Sequence, residues 1–115
     1  MIIREEERST ETRVAMRGGP GEVHITNVCS KEDLYGKGRL YATMVLHKDC
    51  GVGYHEHTGE EEIFLINEGR AIYNDNGKEY EVHAGDVMIC ADGQGHAITN
   101  IFDEDCRLTA LIVLK

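Results

Sequence analysis

Short segments rich in β-branched and aromatic residues, separated at even intervals by turn-forming residues, constrain the fold of this chain more than any other feature. Thirteen glycines and a single proline punctuate these segments. Because strand side chains alternate with period two and turns favour glycine, the pattern predicts an all-β sandwich or barrel. We predict strands near residues 22–28, 39–47, 61–66, 70–75, 78–83, 87–91, 96–102 and 107–114.

Two turn signals predict how neighbouring strands pair. The dipeptide Asn76-Gly77 is typical of a type I′ hairpin, in which Tyr73 would pair with Tyr80. Glu68-Gly69 can form a similar two-residue turn one strand earlier, and Phe64 would then face Tyr73 in the same sheet. The aromatic side chains of Phe64, Tyr73 and Tyr80 would lie on one side of the two predicted hairpins. Because this side is the apolar one, these side chains are expected to fill the interior.

An acidic residue lies on the predicted interior face. Glu62 shares the side of its strand with Phe64 and Ile66, and the same register would place it opposite Asp75. A buried carboxylate costs several kcal/mol unless it is paired or ligates a metal. Glu62 therefore needs a partner.

The length and charge of the chain limit the classes of function. At 115 residues we predict one domain, residues 1–115. The 21 acidic residues outnumber the 12 basic ones, which argues against a nucleic-acid partner and against an anionic membrane surface. The charge-dense N-terminus lacks the apolar core of a secretory signal, so a cytoplasmic protein is expected.

Two histidines two positions apart precede a run of three glutamates, and this stretch predicts a metal site. His55 and His57 project to the same side of an extended segment, with Cα atoms roughly 6 to 7 Å apart. Glu62 follows on the inner face, and His96 begins a later strand after a glycine-rich bend. If the register slipped, Glu60 or Glu61 would replace Glu62. The competing interpretation is a solvated surface turn, the usual role of a run of glutamates.

These two stretches resemble the two sequence motifs of the cupins, a family of small β-barrel proteins. The first motif has the form H-x-H, three or four residues, E, six residues, G, and residues 51–69 match it at His55, His57, Glu62 and Gly69. The second has the form G, five residues, P-x-G, two residues, H, three residues, N. Residues 85–100 match it at Gly85, Gly93, His96 and Asn100, with Ala91 in place of proline. The family's glycine before the first histidine is replaced by Asp49.

The resemblance implies a fold, a ligand set and a range of functions. Members of the RmlC-like cupin superfamily are double-stranded β-helix (jelly-roll) barrels with a metal at the mouth. By resemblance, the metal ligands are His55, His57, Glu62 and His96. Three imidazoles and one carboxylate suit a divalent Fe, Mn, Ni, Co or Zn ion and leave positions open for water or substrate.

Two functions from different classes follow from the resemblance. The first is a metal-dependent isomerase, decarboxylase, lyase or dioxygenase acting on a small oxygen-rich metabolite. In such an enzyme, Tyr73 would act as a proton donor or as a residue that contacts one of the metal ligands. The second is a barrel that binds a sugar or effector without turning it over. Fold alone does not choose between them. Arg17 or Arg39 could bind a substrate anion, although no motif spacing requires it.

Two segments are apolar on both faces and predict self-association. Residues 108–114 and 40–46 carry apolar side chains at almost every position. A strand with two apolar faces is typically covered on both sides. We expect a homodimer, and sedimentation as a monomer at micromolar concentration would contradict this.

Overall fold

The computed structural model describes residues 1–115 and contains ten β-strands and three short 3₁₀ turns. The strands are β1 (Thr10–Val14), β2 (Glu22–Asn27), β3 (Gly38–Leu46), β4 (Cys50–Glu56), β5 (Glu60–Glu68), β6 (Arg70–Asp75), β7 (Lys78–His83), β8 (Val87–Cys90), β9 (Gly95–Asn100) and β10 (Cys106–Leu114). The 3₁₀ turns are Glu5–Glu7, Met16–Gly18 and Lys31–Leu34. None of these helical turns is long and apolar enough to cross a membrane.

The strands form two antiparallel sheets that face each other. One has six strands in the order β1-β2-β3-β10-β5-β8, and the other has four in the order β4-β9-β6-β7. Consecutive strands along the chain repeatedly change sheet, as in a jelly roll. The prediction of an all-β jelly-roll fold is confirmed.

The core lies between the two sheets, because alternate residues of each strand point inward. In β10, Leu108, Ala110 and Ile112 are buried, whereas the residues between them are partly exposed. In β5, Phe64 and Ile66 are buried in the same way. The period-two pattern in the sequence thus translates directly into an inner and an outer face.

The predicted hairpin between β5 and β6 is wrong. β5 pairs with β10 and β8 in the larger sheet, whereas β6 pairs with β7 and β9 in the smaller one. Gly69, with φ of 79°, turns the chain from one sheet into the other. Phe64 and Tyr73 do contact each other, but across the core, with ring centroids 6.3 Å apart. Glu62 accordingly pairs with Ile112 and Cys90, not with Asp75.

The predicted hairpin at Asn76-Gly77 is confirmed. Both residues have positive φ, 54° and 98°, as a type I′ turn requires. Tyr73 pairs with Tyr80 across it. Tyr73 is buried, but Tyr80 is 46% exposed, so the expectation that Tyr80 fills the interior is wrong. Only Val82 of β7 is buried, so most of this strand of the hairpin is open to solvent.

The first strand was not predicted, and it lies at the edge of the larger sheet. All five residues of β1 are exposed, and the strand is held by pairing with β2 from Thr10↔Thr26 to Val14↔Glu22. The chain then passes through the Met16–Gly18 turn before β2. This segment lies against β4, and it forms part of the surroundings of the candidate site.

The outer face of the larger sheet carries apolar side chains. Leu65, Val87 and Ile89 are 39%, 57% and 53% exposed, and Tyr41 is 36% exposed. Leu111 lies between Tyr41 and this group in the central strand. The homodimer stays a prediction, and this face is where a second copy would pack.

Candidate metal centre

Three strands bring the four predicted ligand residues together between the sheets. His55 lies in β4, directly opposite His96 of β9 in the smaller sheet. His57 follows the end of β4, and its backbone is held by hydrogen bonds with Gln94 and Gly93. Glu62 reaches the same point from β5 of the larger sheet. One potential ligand atom from each of the four residues lies within 4.8 Å of all the others.

The nitrogens that converge are the Nε2 atoms of the histidines. The Nε2 of His57 lies 3.1 Å from those of His55 and His96. The Oε1 atom of Glu62 is 3.0 Å from the Nε2 of His57 and of His96, and 3.8 Å from that of His55. His57, Glu62 and His96 are buried, and only about a tenth of the His55 side chain is exposed.

The opposite nitrogen of each ring has its own partner. The Nδ1 of His55 donates to the carbonyl of Gly53 at 2.8 Å. The Nδ1 of His57 donates to the Glu60 carboxylate at 2.5 Å. A carbonyl and an ionised carboxylate can only accept, so both Nδ1 atoms carry hydrogen and both Nε2 atoms present a lone pair when the rings are neutral.

The third ring is held by a tyrosine and a phenylalanine. The Tyr73 hydroxyl lies 2.8 Å from the Nδ1 of His96 and can accept its hydrogen. Phe64 stacks on a face of the His96 ring, with centroids 5.0 Å apart and planes 17° apart. Burial raises the pKa of Tyr73, so its hydroxyl stays protonated. The hydroxyl thus contacts the outer nitrogen of a candidate ligand, and a catalytic role for Tyr73 stays a prediction.

The carboxylate of Glu62 is kept ionised by the histidines. Burial alone would raise its pKa, but hydrogen bonds with His55, His57 and His96 outweigh burial and hold the pKa well below its usual range. Burial also lowers the pKa of His96, which favours the neutral ring that a metal requires.

These groups fit a divalent metal ion. Three imidazole lone pairs and one carboxylate oxygen converge in a buried space, and the hydrogens of the rings point outward to separate acceptors. Such a set of acceptors matches the ligands preferred by first-row divalent metals. The outer partners are the kind that fix ring orientation in metal sites.

Glu60 and Glu61, the two alternatives to Glu62 as a ligand, lie in different places. Glu61 lies on the outer side of β5, paired with Val113, so it does not reach the site. Glu60 lies behind His57 and also receives two hydrogen bonds of 2.7 Å from Arg39. Arg39 lowers the pKa of Glu60 to about 2, although burial opposes this. This supporting role of Glu60 was missed, because the sequence offered it only as an alternative ligand.

Replacing Glu60 by glutamine is expected to weaken metal binding by about 10 to 100-fold, the usual effect of losing an outer partner of a ligand. The amide keeps the shape but loses the charge that orients the Nδ1 hydrogen of His57. Competition with a chelator of known affinity measures the change. Glu61→Gln is the matched control, and an equal loss in both variants would contradict the role of Glu60.

A small cavity opens beside the candidate ligands. Its volume is about 60 Å³, well below that of sites for drug-sized ligands. His55, His57 and Glu62 contribute polar groups to its lining, and Phe64 is one of its apolar lining residues. The other charged groups that line it are arginines, namely Arg13, Arg17 and Arg39. The cavity therefore suits a small anion next to the ligand cluster.

The jelly-roll fold and this cluster define a class of β-proteins with a histidine-rich site between two sheets. The family model of the cupin domain, which describes the family's sequences, matches residues 42–113 of this chain. The chain belongs to the cupin family. A Thermotoga maritima protein named oxalate-binding protein is 40% identical over 114 residues, which are 99% of this chain and 94% of that protein.

Solved structures agree with this assignment. The crystal structure of a Thermotoga maritima protein described as a predicted oxalate decarboxylase is 40% identical, with a TM-score of 0.94 over 100% of both chains. A polyketide cyclase from Streptomyces resistomycificus is 15% identical, with a TM-score of 0.78 over 99% of this chain and 78% of that one. The second likeness concerns the fold alone.

Proposed function

We propose that the chain binds one divalent transition metal through His55, His57, Glu62 and His96, and that this centre binds a small dicarboxylate such as oxalate. The observation that carries the proposal is the convergence of three Nε2 atoms and one carboxylate oxygen within 4.8 Å. The name of the 40% identical relative supports the choice of oxalate.

The cavity supports a small and anionic ligand. About 60 Å³ holds only a few heavy atoms, and three arginines contribute to its lining. A bound divalent metal would supply a Lewis acid that attracts and polarises carboxylate oxygens. The apolar residues of the lining, such as Met44 and Phe64, limit the access of water, which strengthens electrostatic attraction to an anion.

The lining favours binding over catalysis. Its ionisable groups are the arginines and three of the proposed ligands, His55, His57 and Glu62. Decarboxylation of oxalate to formate needs a group that gives a proton to the carbon left by carbon dioxide. No further carboxylic acid, tyrosine, lysine or cysteine lines the cavity to do so. Turnover by a metal-dependent decarboxylase is the second candidate, supported by the description of the similar crystal structure.

Calorimetric titration of oxalate into the protein loaded with Mn²⁺ tests the proposal. We expect one oxalate per chain, much weaker binding of acetate, which has a single carboxylate, and no binding of oxalate to the metal-free protein. Failure to load metal, or equal affinity for acetate and oxalate, would show the proposal to be wrong. Assaying the same mixture for formate separates the candidates, since sustained release of formate would establish catalysis.

A further inference from the structure

Residues 15–20, which we call the 15–20 loop, lie in the connection between β1 and β2 beside the cavity. Met16 and Arg17 of this loop line the cavity together with His55 and His57. The loop thus contributes two of the lining residues that lie outside the two cupin motifs. It also brings a positive charge close to the candidate ligands.

The loop packs directly against the backbone of β4. A Cβ atom at Gly53 would overlap the carbonyl oxygen of Arg17 and lie 2.7 Å from the nitrogen of Gly19. A Cβ atom at Gly19 would lie 2.5 Å from the nitrogen of Gly53 and 2.6 Å from the oxygen of Gly51. The Gly51 amide also donates to the carbonyl of Pro20 at 3.0 Å. Gly53 of β4 and Gly19 of the loop therefore leave the space for this close contact, two residues before His55.

The conformation of the loop is unusual for its residues. Ala15 and Arg17 have φ of 51° and 53°, in the left-handed region that residues with a Cβ rarely adopt. Such conformations persist when surrounding contacts hold them, and they concentrate at functional sites. The backbone of Arg17 is thus held in one conformation, which fixes the position of its Cβ atom beside the cavity.

The three arginines of the cavity differ in their partners. Arg39 donates two hydrogen bonds to Glu60, so its guanidinium is already neutralised. Arg13 pairs with Glu11 at 3.1 Å. Arg17 lines the cavity and is exposed, and its side chain forms no hydrogen bond, ion pair or cation–π contact with the rest of the chain. Arg17 is therefore the lining arginine whose full charge is free for a ligand.

We propose that Arg17 is the residue that binds a carboxylate of the ligand and so selects a small dicarboxylic acid. This proposal rests on the proposed function, because it concerns the same site. The planar guanidinium matches the two oxygens of a carboxylate and forms strong, charge-assisted hydrogen bonds with it. The metal centre would hold the acid, and Arg17 would contact the oxygens that face the 15–20 loop.

Oxalate affinity of Mn²⁺-loaded variants tests the role of Arg17. Arg17→Gln is expected to weaken oxalate binding by about 10 to 100-fold, the usual effect of losing hydrogen bonds to a charged group. Arg17→Lys, which keeps the charge but not the planar fork, should lie between this variant and the native protein. Glutamine is chosen over glycine because it leaves the backbone preference at this position nearly unchanged. Arg4→Gln, at an exposed position away from the cavity, is the matched control.

The outcomes separate this proposal from the one on which it rests. If the native protein loaded with Mn²⁺ binds no oxalate, the proposed function fails. If the native protein binds oxalate and Arg17→Gln binds it equally well, only the role of Arg17 is overturned. The role of Arg17 is also overturned if Arg13→Gln weakens oxalate binding more than Arg17→Gln does. Metal content measured on each variant must match the native value, and a loss of metal in Arg17→Gln would overturn direct contact with the ligand.

Discussion

Replacing His57 by alanine is expected to abolish tight metal binding while the fold is retained. The Nε2 of His57 is central to the cluster, 3.1 Å from two other imidazole nitrogens and 3.0 Å from Glu62. Removing a ligand should weaken binding by more than the 10 to 100-fold typical of its outer partners. Elemental analysis after equilibration with one equivalent of Mn²⁺ or Zn²⁺ and gel filtration measures the change.

The matched control for this variant is His83→Ala. His83 lies on β7, is exposed, and contacts Glu81 at 2.6 Å, away from the candidate site. Its removal should leave the metal content unchanged. Circular dichroism should show the same strand content in both variants, because the core is built from apolar inner faces. A full equivalent of metal in His57→Ala would mean that the ligand assignment is wrong.

Replacing Phe64 by alanine is expected to lower the free energy of unfolding by about 3–5 kcal/mol, the cost of removing a buried aromatic ring. Phe64 is 2% exposed and packs between the sheets against Tyr73 and His96. Urea denaturation of the metal-free protein measures the loss. Because the ring supports His96, metal affinity should fall as well.

The neighbouring residue provides the control for Phe64→Ala. Leu65 points to the outer face of the same strand and is 39% exposed. Leu65→Ala, measured at the same protein concentration, should cost about 1 kcal/mol or less. Similar losses for the two variants would contradict the placement of the core between the sheets.

Local patterns in the sequence predicted the class of fold and the four clustered residues. The hairpin at Asn76-Gly77 could be predicted because its turn chemistry is local. The spacing of His55, His57 and Glu62 was equally informative, since it reflects the geometry of a single short segment. His96 was found through the second motif, although it is distant in the chain.

Long-range pairing could not be predicted from local signals. The turn at Gly69 looks like a hairpin in sequence but turns the chain into the other sheet, because a positive φ permits a sharp corner as well as a tight hairpin. The strand Thr10–Val14 has no buried residue, so it lacks the alternation by which strands are recognised. The role of Glu60 depends on Arg39, and only the folded structure brings the two together.

The position of β10 has a consequence for how this chain folds. It lies in the middle of the larger sheet, between β3 and β5, where Cys106 pairs with Leu46 and Ile112 with both Leu40 and Glu62. Chains dominated by such distant pairings fold in milliseconds to seconds rather than microseconds, because each pairing must close a long loop first. Glu62 pairs with Ile112 of β10, so the alignment of one candidate ligand depends on a strand that lies near the C-terminal end of the sequence.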